Sequence, residues 1–114
     1  MIHPNISSSR VEGTSVYNLA GEKLGSIDDL EIDKRSGLVR YAALAFGGFL
    51  GLGSDRFPLP WSMLTYDAEK DGYVVNLDME QLKVGPRYPV DARPSYSDEY
   101  GRGVYDHYGV PWGV

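Results

Sequence analysis

The sequence predicts an all-β fold: one small β-barrel with a short closing helix and an aromatic C-terminal extension. Three observations predict it. Residues 11–87 hold ten of the fourteen glycines, and short apolar runs fall between turn signals there, the pattern of a β meander. The segment Leu38–Phe46 is apolar on both faces. After Pro86 the composition shifts, and residues 88–114 hold five of the nine tyrosines plus Trp112, interrupted by Pro89, Pro94 and Pro111. The 114 residues make one ordinary domain.

Residues 1–10 are polar and read as a flexible arm. Thr14–Tyr17 is the first strand, closed by a turn at Asn18–Gly21. Leu24–Asp33 is the second strand. Its apolar positions Ile27, Leu30 and Ile32 break strict alternation, and a bulge near Asp28–Asp29 restores parity and bends the strand. Asp33–Gly37 is a hairpin turn, with Gly37 suited to positive φ. In Leu38–Phe46, Leu38, Arg40, Ala42, Leu44 and Phe46 share one face, and Val39, Tyr41, Ala43 and Ala45 the other. One face belongs to the barrel interior. The other needs a helix, the tail or a second copy.

Arg56–Trp61 is extended, and its prolines place it at an edge or a corner. Ser62–Leu64 is a short turn. Thr65–Tyr66 and Tyr73–Leu77 form a hairpin around Ala68–Gly72. Asp78 caps a helix over Met79–Lys83, with Gln81 completing a capping box. Residues 11–87 thus form the barrel. In the extension, residues 88–114, Ser97 caps a short helix with Tyr100, Val104 and Tyr108 at helical spacing. Gly101 and Gly103 weaken that helix by about 1 kcal/mol each. So aromatic a tail is expected to dock on a barrel, its own or a partner's.

Composition narrows the function. A net charge of −5 and a pI near 4.8 disfavour binding to phosphate backbones. With no cysteine, disulfide, thiolate-metal and thiol-nucleophile chemistries are excluded. The N-terminus shows no basic region followed by an apolar run, and no stretch approaches the length of a spanning helix, about 18 residues. The expectation is a cytoplasmic protein without membrane insertion.

The order of short motifs is familiar. Gly13-Thr14-Ser15-Val16-Tyr17-Asn18 and then Gly21-Glu22-Lys23-Leu24-Gly25-Ser26-Ile27-Asp28-Asp29-Leu30 resemble the opening of a PRC-barrel domain. Asp33, Ser36-Gly37, Tyr41, Gly47-Gly48, Pro58-Leu59-Pro60-Trp61 and Leu64 continue the likeness over about residues 11–87. The tail, with Tyr100, Tyr105, Tyr108 and Trp112, resembles that of a small stand-alone bacterial branch. The resemblance implies a closed barrel related to the cytoplasmic part of the photosynthetic reaction centre H subunit and to the C-terminal half of a ribosome-maturation factor. It implies docking and no catalytic residues. The sequence departs from both relatives in showing neither the H subunit's membrane helix nor the maturation factor's N-terminal domain, so the resemblance implies a docking role and leaves both specific functions as alternatives only.

Four constellations compete with plainer readings. Asp67, Glu69, Asp71, Gly72, Val74 and Asp78 match a calcium-loop template, but the segment after Gly72 reads as a strand and Asp71-Gly72 as a hairpin turn. No metal is expected there. Asp28, Asp29, Glu31 and Asp33 read as a solvated strand face, with Asp28 or Asp29 free to bond the turn at Gly21. The Gly47–Gly53 loop is neither a dinucleotide fingerprint nor a P-loop, and no cofactor is expected. Its Phe49, Leu50 and Leu52 are either core or contact. His3 and His107 sit apart from any triad pattern.

The expectation is a non-enzymatic protein-interaction module, homodimeric, with Tyr41, Phe49, Leu50, Leu52, Trp61, Tyr100, Tyr105, Tyr108 and Trp112 as interface candidates. The alternatives are a factor associated with the ribosome or rRNA maturation, and a peripheral or assembly component of a photosynthetic or respiratory electron-transport complex.

Overall fold

The computed structural model describes residues 5–46, 55–95 and 97–112. Its elements in order are α1 (Ser8–Val11), β1 (Ser15–Tyr17), β2 (Lys23–Ile32), β3 (Val39–Phe46), β4 (Asp55–Pro60), a 3₁₀ turn (Trp61–Met63), β5 (Thr65–Asp67), β6 (Gly72–Val74), α2 (Met79–Lys83), β7 (Tyr88–Pro89) and α3 (Asp98–His107). The strands form one sheet in the order β5-β6-β1-β2-β3-β4-β7. Inward residues of β1 to β4 and β6 meet in a single core: Val16, Leu24, Ile27, Ala42, Leu44, Phe57, Leu59 and Tyr73. Val11, Val75, Leu77 and Leu82 belong to the same core. A sheet whose successive strands share one core must wrap around it.

The bends come where alternation fails. Ile27 faces Leu44 and Asp29 faces Ala43, so Asp28 is the extra residue of a bulge. That bulge lets Ile27 and Leu30 both reach the core despite their unequal spacing. Turns are set by local hydrogen bonds. Asp33 Oδ1 accepts from the N–H groups of Arg35 and Ser36 at 2.8 and 3.0 Å, which holds its carboxyl below the usual range. Gly37 takes φ +77°. The predicted capping box of α2 is present, with Asp78 and Gln81 each accepting the other's backbone N–H.

Several expectations are corrected. The sheet is not a simple meander, because β1 pairs with β6 in parallel, Val16 opposite Tyr73. In the β5–β6 turn the positive φ is taken by Asp71, at +48°. A Cβ on Gly72 would lie 2.7 Å from the carbonyl oxygen of Ser15, so glycine here allows β6 to approach β1. The β1–β2 turn is closed by Asn18 and Glu22, not by Asp28 or Asp29. Asn18 is buried; its side-chain amide donates to the Glu22 carboxylate at 2.8 Å and its Oδ1 accepts the backbone N–H of Glu22 at 2.9 Å. β4 lies between β3 and β7 at its first two residues only, and among the described residues its proline-bearing part is an edge, as the prolines lead one to expect. β7 pairs only with Asp55 and Arg56, so Pro58 and Pro60 lie past the end of that ladder. Within residues 1–10, Ser8 to Arg10 belong to the helical turn α1 that seats Val11. Ile32 is 50% exposed, although it was expected among the inward positions.

Candidate interaction surface

The outer face of β3 and β4 is covered by the chain's own tail. Ala42 and Leu44 point into the barrel, so Tyr41 and Ala43 point out, yet Tyr41 is only 3% exposed. Phe57 and Leu59 point in, and the outward Pro58 and Pro60 are also fully buried. The cover is α3. Its Val104 and Tyr105 form a second cluster with Tyr41, joined by Tyr100, Tyr108, Val110 and Trp112.

The helix is specified locally. Ser97 accepts the N–H of Tyr100, and Asp98 and Glu99 occupy the first turn, where carboxylates suit the helix dipole. At the other end Gly109 takes φ +68°. The N–H groups of Gly109 and Val110 donate to the carbonyls of Asp106 and Tyr105, which is a Schellman turn. That turn sends the chain back so that Trp112 packs edge-on against Tyr105, with ring centroids 5.0 Å apart. Arg40 stacks over Trp112 at 4.7 Å, and the Tyr105 hydroxyl donates to the Arg40 carbonyl at 2.7 Å. Burial, with neighbouring tyrosines adding to it, pushes the Tyr41 hydroxyl up to about 12, and burial alone does so for Tyr108.

The two helix glycines differ. A Cβ on Gly101 would lie 2.6 Å from the Trp112 ring and from the Tyr41 hydroxyl, whereas one on Gly103 meets nothing within 4 Å. Gly101 is therefore needed for contact. Gly103→Ala is expected to strengthen the docked tail by about 1 kcal/mol, read as a higher thermal midpoint.

The acidic residues of the sequence analysis are dispersed. Asp28 pairs with Arg56 at 2.8 Å and Asp33 with Arg40 at 3.5 Å. Asp29 pairs with Arg93 of the segment leading to α3. Glu31 borders a hollow shared with Ser97, Asp98 and Trp112 of the tail, and its carboxyl is raised by burial and by Asp29, against the opposing Arg93. Among the calcium-template residues, Asp67 accepts turn N–H groups from Glu69 and Lys70. Asp71 accepts from the Tyr66 hydroxyl at 2.7 Å, and Asp78 caps α2. Among the described residues no three His, Asp or Glu side chains converge as a metal site.

The interface candidates thus separate. Tyr41 and Tyr105 are buried within the chain, and Tyr100, Tyr108 and Trp112 pack around them. Trp61 packs on the core, 5.3 Å from the Tyr73 ring. Phe49, Leu50 and Leu52 lie outside the described residues. A different surface remains open. Tyr66 is 45% and Leu19 69% exposed. They border a concavity of about 350 Å³ on the hairpin β5–β6, lined also by Met63, Thr65, Asp67, Val74 and Asn76. Sequence reasoning passed over Leu19 because a single apolar residue in a turn has no periodicity to signal it.

The model of the PRC-barrel domain family matches residues 3–82, well over half of the chain. The protein belongs to the PRC-barrel family. No curated protein matches it. The PRC-barrel match ends in α2, so β7 and α3 lie beyond it. Among the described residues no helix is long and apolar enough to cross a membrane.

Proposed function

We propose that this PRC-barrel protein is a non-enzymatic protein-interaction module of the cytoplasm, homodimeric, whose partner binds along the β5–β6 hairpin. The observation that carries this reading is the exposed pair Leu19 and Tyr66 beside the concavity. Large apolar side chains clustered around an open hollow favour a contact surface over a solvated one. β5 is the outermost strand of the sheet, and an outer strand offers backbone groups to an added strand. Asp67 in the hollow and the net charge of −5 favour a partner segment that is apolar with basic flanks. The family likeness, in which barrels serve as docking modules, points the same way.

The test is affinity capture from native lysate with wild-type and Leu19→Glu bait in parallel, with and without ribonuclease. Leu19 is largely exposed, so the substitution is expected to leave stability within about 0.5 kcal/mol. The expected result is a protein retained by wild type, insensitive to ribonuclease and lost from the variant. Identical retention by both baits would remove the hairpin as the contact. Ribonuclease-sensitive retention would favour the ribosome-associated alternative.

A further inference from the structure

The tail is held by apolar contact, yet its seam with the barrel carries two polar groups that docking leaves without a hydrogen bond or an ion pair. Tyr108, the C-cap of α3, packs against both the barrel core and the Tyr41 cluster. Among the described residues its hydroxyl is the one buried side-chain polar atom with no hydrogen-bond partner. Gly85, just past α2, lies so close that a Cβ there would collide with that hydroxyl. The second group is Glu31, in the hollow it shares with Ser97, Asp98 and Trp112 of the tail. The two cations nearby are engaged by other acids, Arg40 by Asp33 and Arg93 by Asp29. Glu31 has no ion pair of its own among the described residues, and Asp98 adds a further negative charge to the hollow.

Both groups are costly only while the tail is docked. A hydroxyl buried without a partner loses its water and recovers it on release. Burial, reinforced by Asp29 against Arg93, raises the Glu31 carboxyl, so its charged form also favours an open seam. The helix itself resists release weakly. It has ten residues and two glycines, below the length at which isolated helices persist, about 12–15 residues. Residues 90–95, which lead to it, are irregular and largely exposed.

We propose that α3 is a releasable strap: it docks and lifts as a unit while the barrel stays folded, and the unpaired Tyr108 hydroxyl and Glu31 carboxylate weight that equilibrium toward release. Lifting bares Tyr41, Pro58 and Pro60 on the outer face of β3 and β4, and closing hides them. The strap does not depend on a partner at the β5–β6 hairpin.

Amide hydrogen exchange of the full chain reads the opening directly. In wild type the amides of Val104 and Tyr105 are expected to exchange through a local opening, and so to be less protected than those of β3. Tyr108→Phe removes the hydroxyl and keeps the ring. It is expected to raise the protection of the α3 amides about tenfold. Glu31→Gln removes the charge at nearly constant shape and is expected to act in the same sense. Val104 and Tyr105 protected as well as β3 in wild type would overturn the strap, because the tail would then open only with the whole barrel. Protection of α3 in Tyr108→Phe at or below the wild-type level would overturn it too. Should Tyr108→Phe fail to fold, Glu31→Gln is held to the same standard.

Discussion

Phe57→Ala is expected to lower the unfolding free energy by about 3–5 kcal/mol, the cost of removing a large buried aromatic and leaving its space unfilled. Phe57 is fully buried and lies opposite Leu44 in the β3–β4 ladder. It belongs to the cluster joining Val16, Ile27, Leu59 and Leu82, so its cavity would border several strands at once. The whole margin of a domain is about 5–15 kcal/mol, so this one change removes much of it. A urea titration of the variant beside Leu38→Ala checks the claim. Leu38 is mostly exposed, and its midpoint is expected to stay near wild type. Equal midpoints for the two variants would mean that Phe57 does not sit in the core.

Val104→Asp is expected to release the tail and leave the barrel folded. Val104 is 2% exposed, in the cluster with Tyr41 and Tyr105. A carboxylate buried there without a partner costs several kcal/mol. A short helix that exists only through its docking cannot offset that cost. Tyr108 packs against both clusters, but the buried side chains of the barrel core lie on the opposite face of β3 from Tyr41, Val104 and Tyr105, so cooperative unfolding of the barrel is expected to remain. Near-ultraviolet circular dichroism would lose the signal of the packed tyrosines and Trp112. Protease would cut within 90–108, while far-ultraviolet strand signal is retained. Loss of all cooperative unfolding would show that tail and barrel fold as one unit.

Features held by neighbours in the chain were legible in the sequence. The bulge at Asp28 follows from the parity of Ile27 and Leu30. The capping box of α2 follows from Asp78 and Gln81 three residues apart, and the cap of α3 from Ser97. The two-sided apolar pattern of β3 showed that its outer face is covered. What covers it could not be read, because the docking of α3 joins residues some sixty positions apart through shape. Gly101 illustrates the difficulty: helix propensity treats it as a weakness, and only the position of the Trp112 ring makes it a requirement. The same holds for Gly72, whose turn-like neighbourhood concealed a close approach to Ser15. The parallel pairing of β1 and β6 is likewise non-local, and local turn signals suggest a meander.

α3 is held against the outer face of β3 and β4 by the cluster of Tyr41, Val104 and Tyr105, and amide hydrogen exchange of wild type and Val104→Asp tests this directly. Slow exchange is expected for Val104, Tyr105, Tyr108 and Val110 in wild type, far beyond what a free ten-residue helix retains, and rapid exchange of the same amides in the variant. Rapid exchange of these amides in wild type, with β3 still protected, would contradict it.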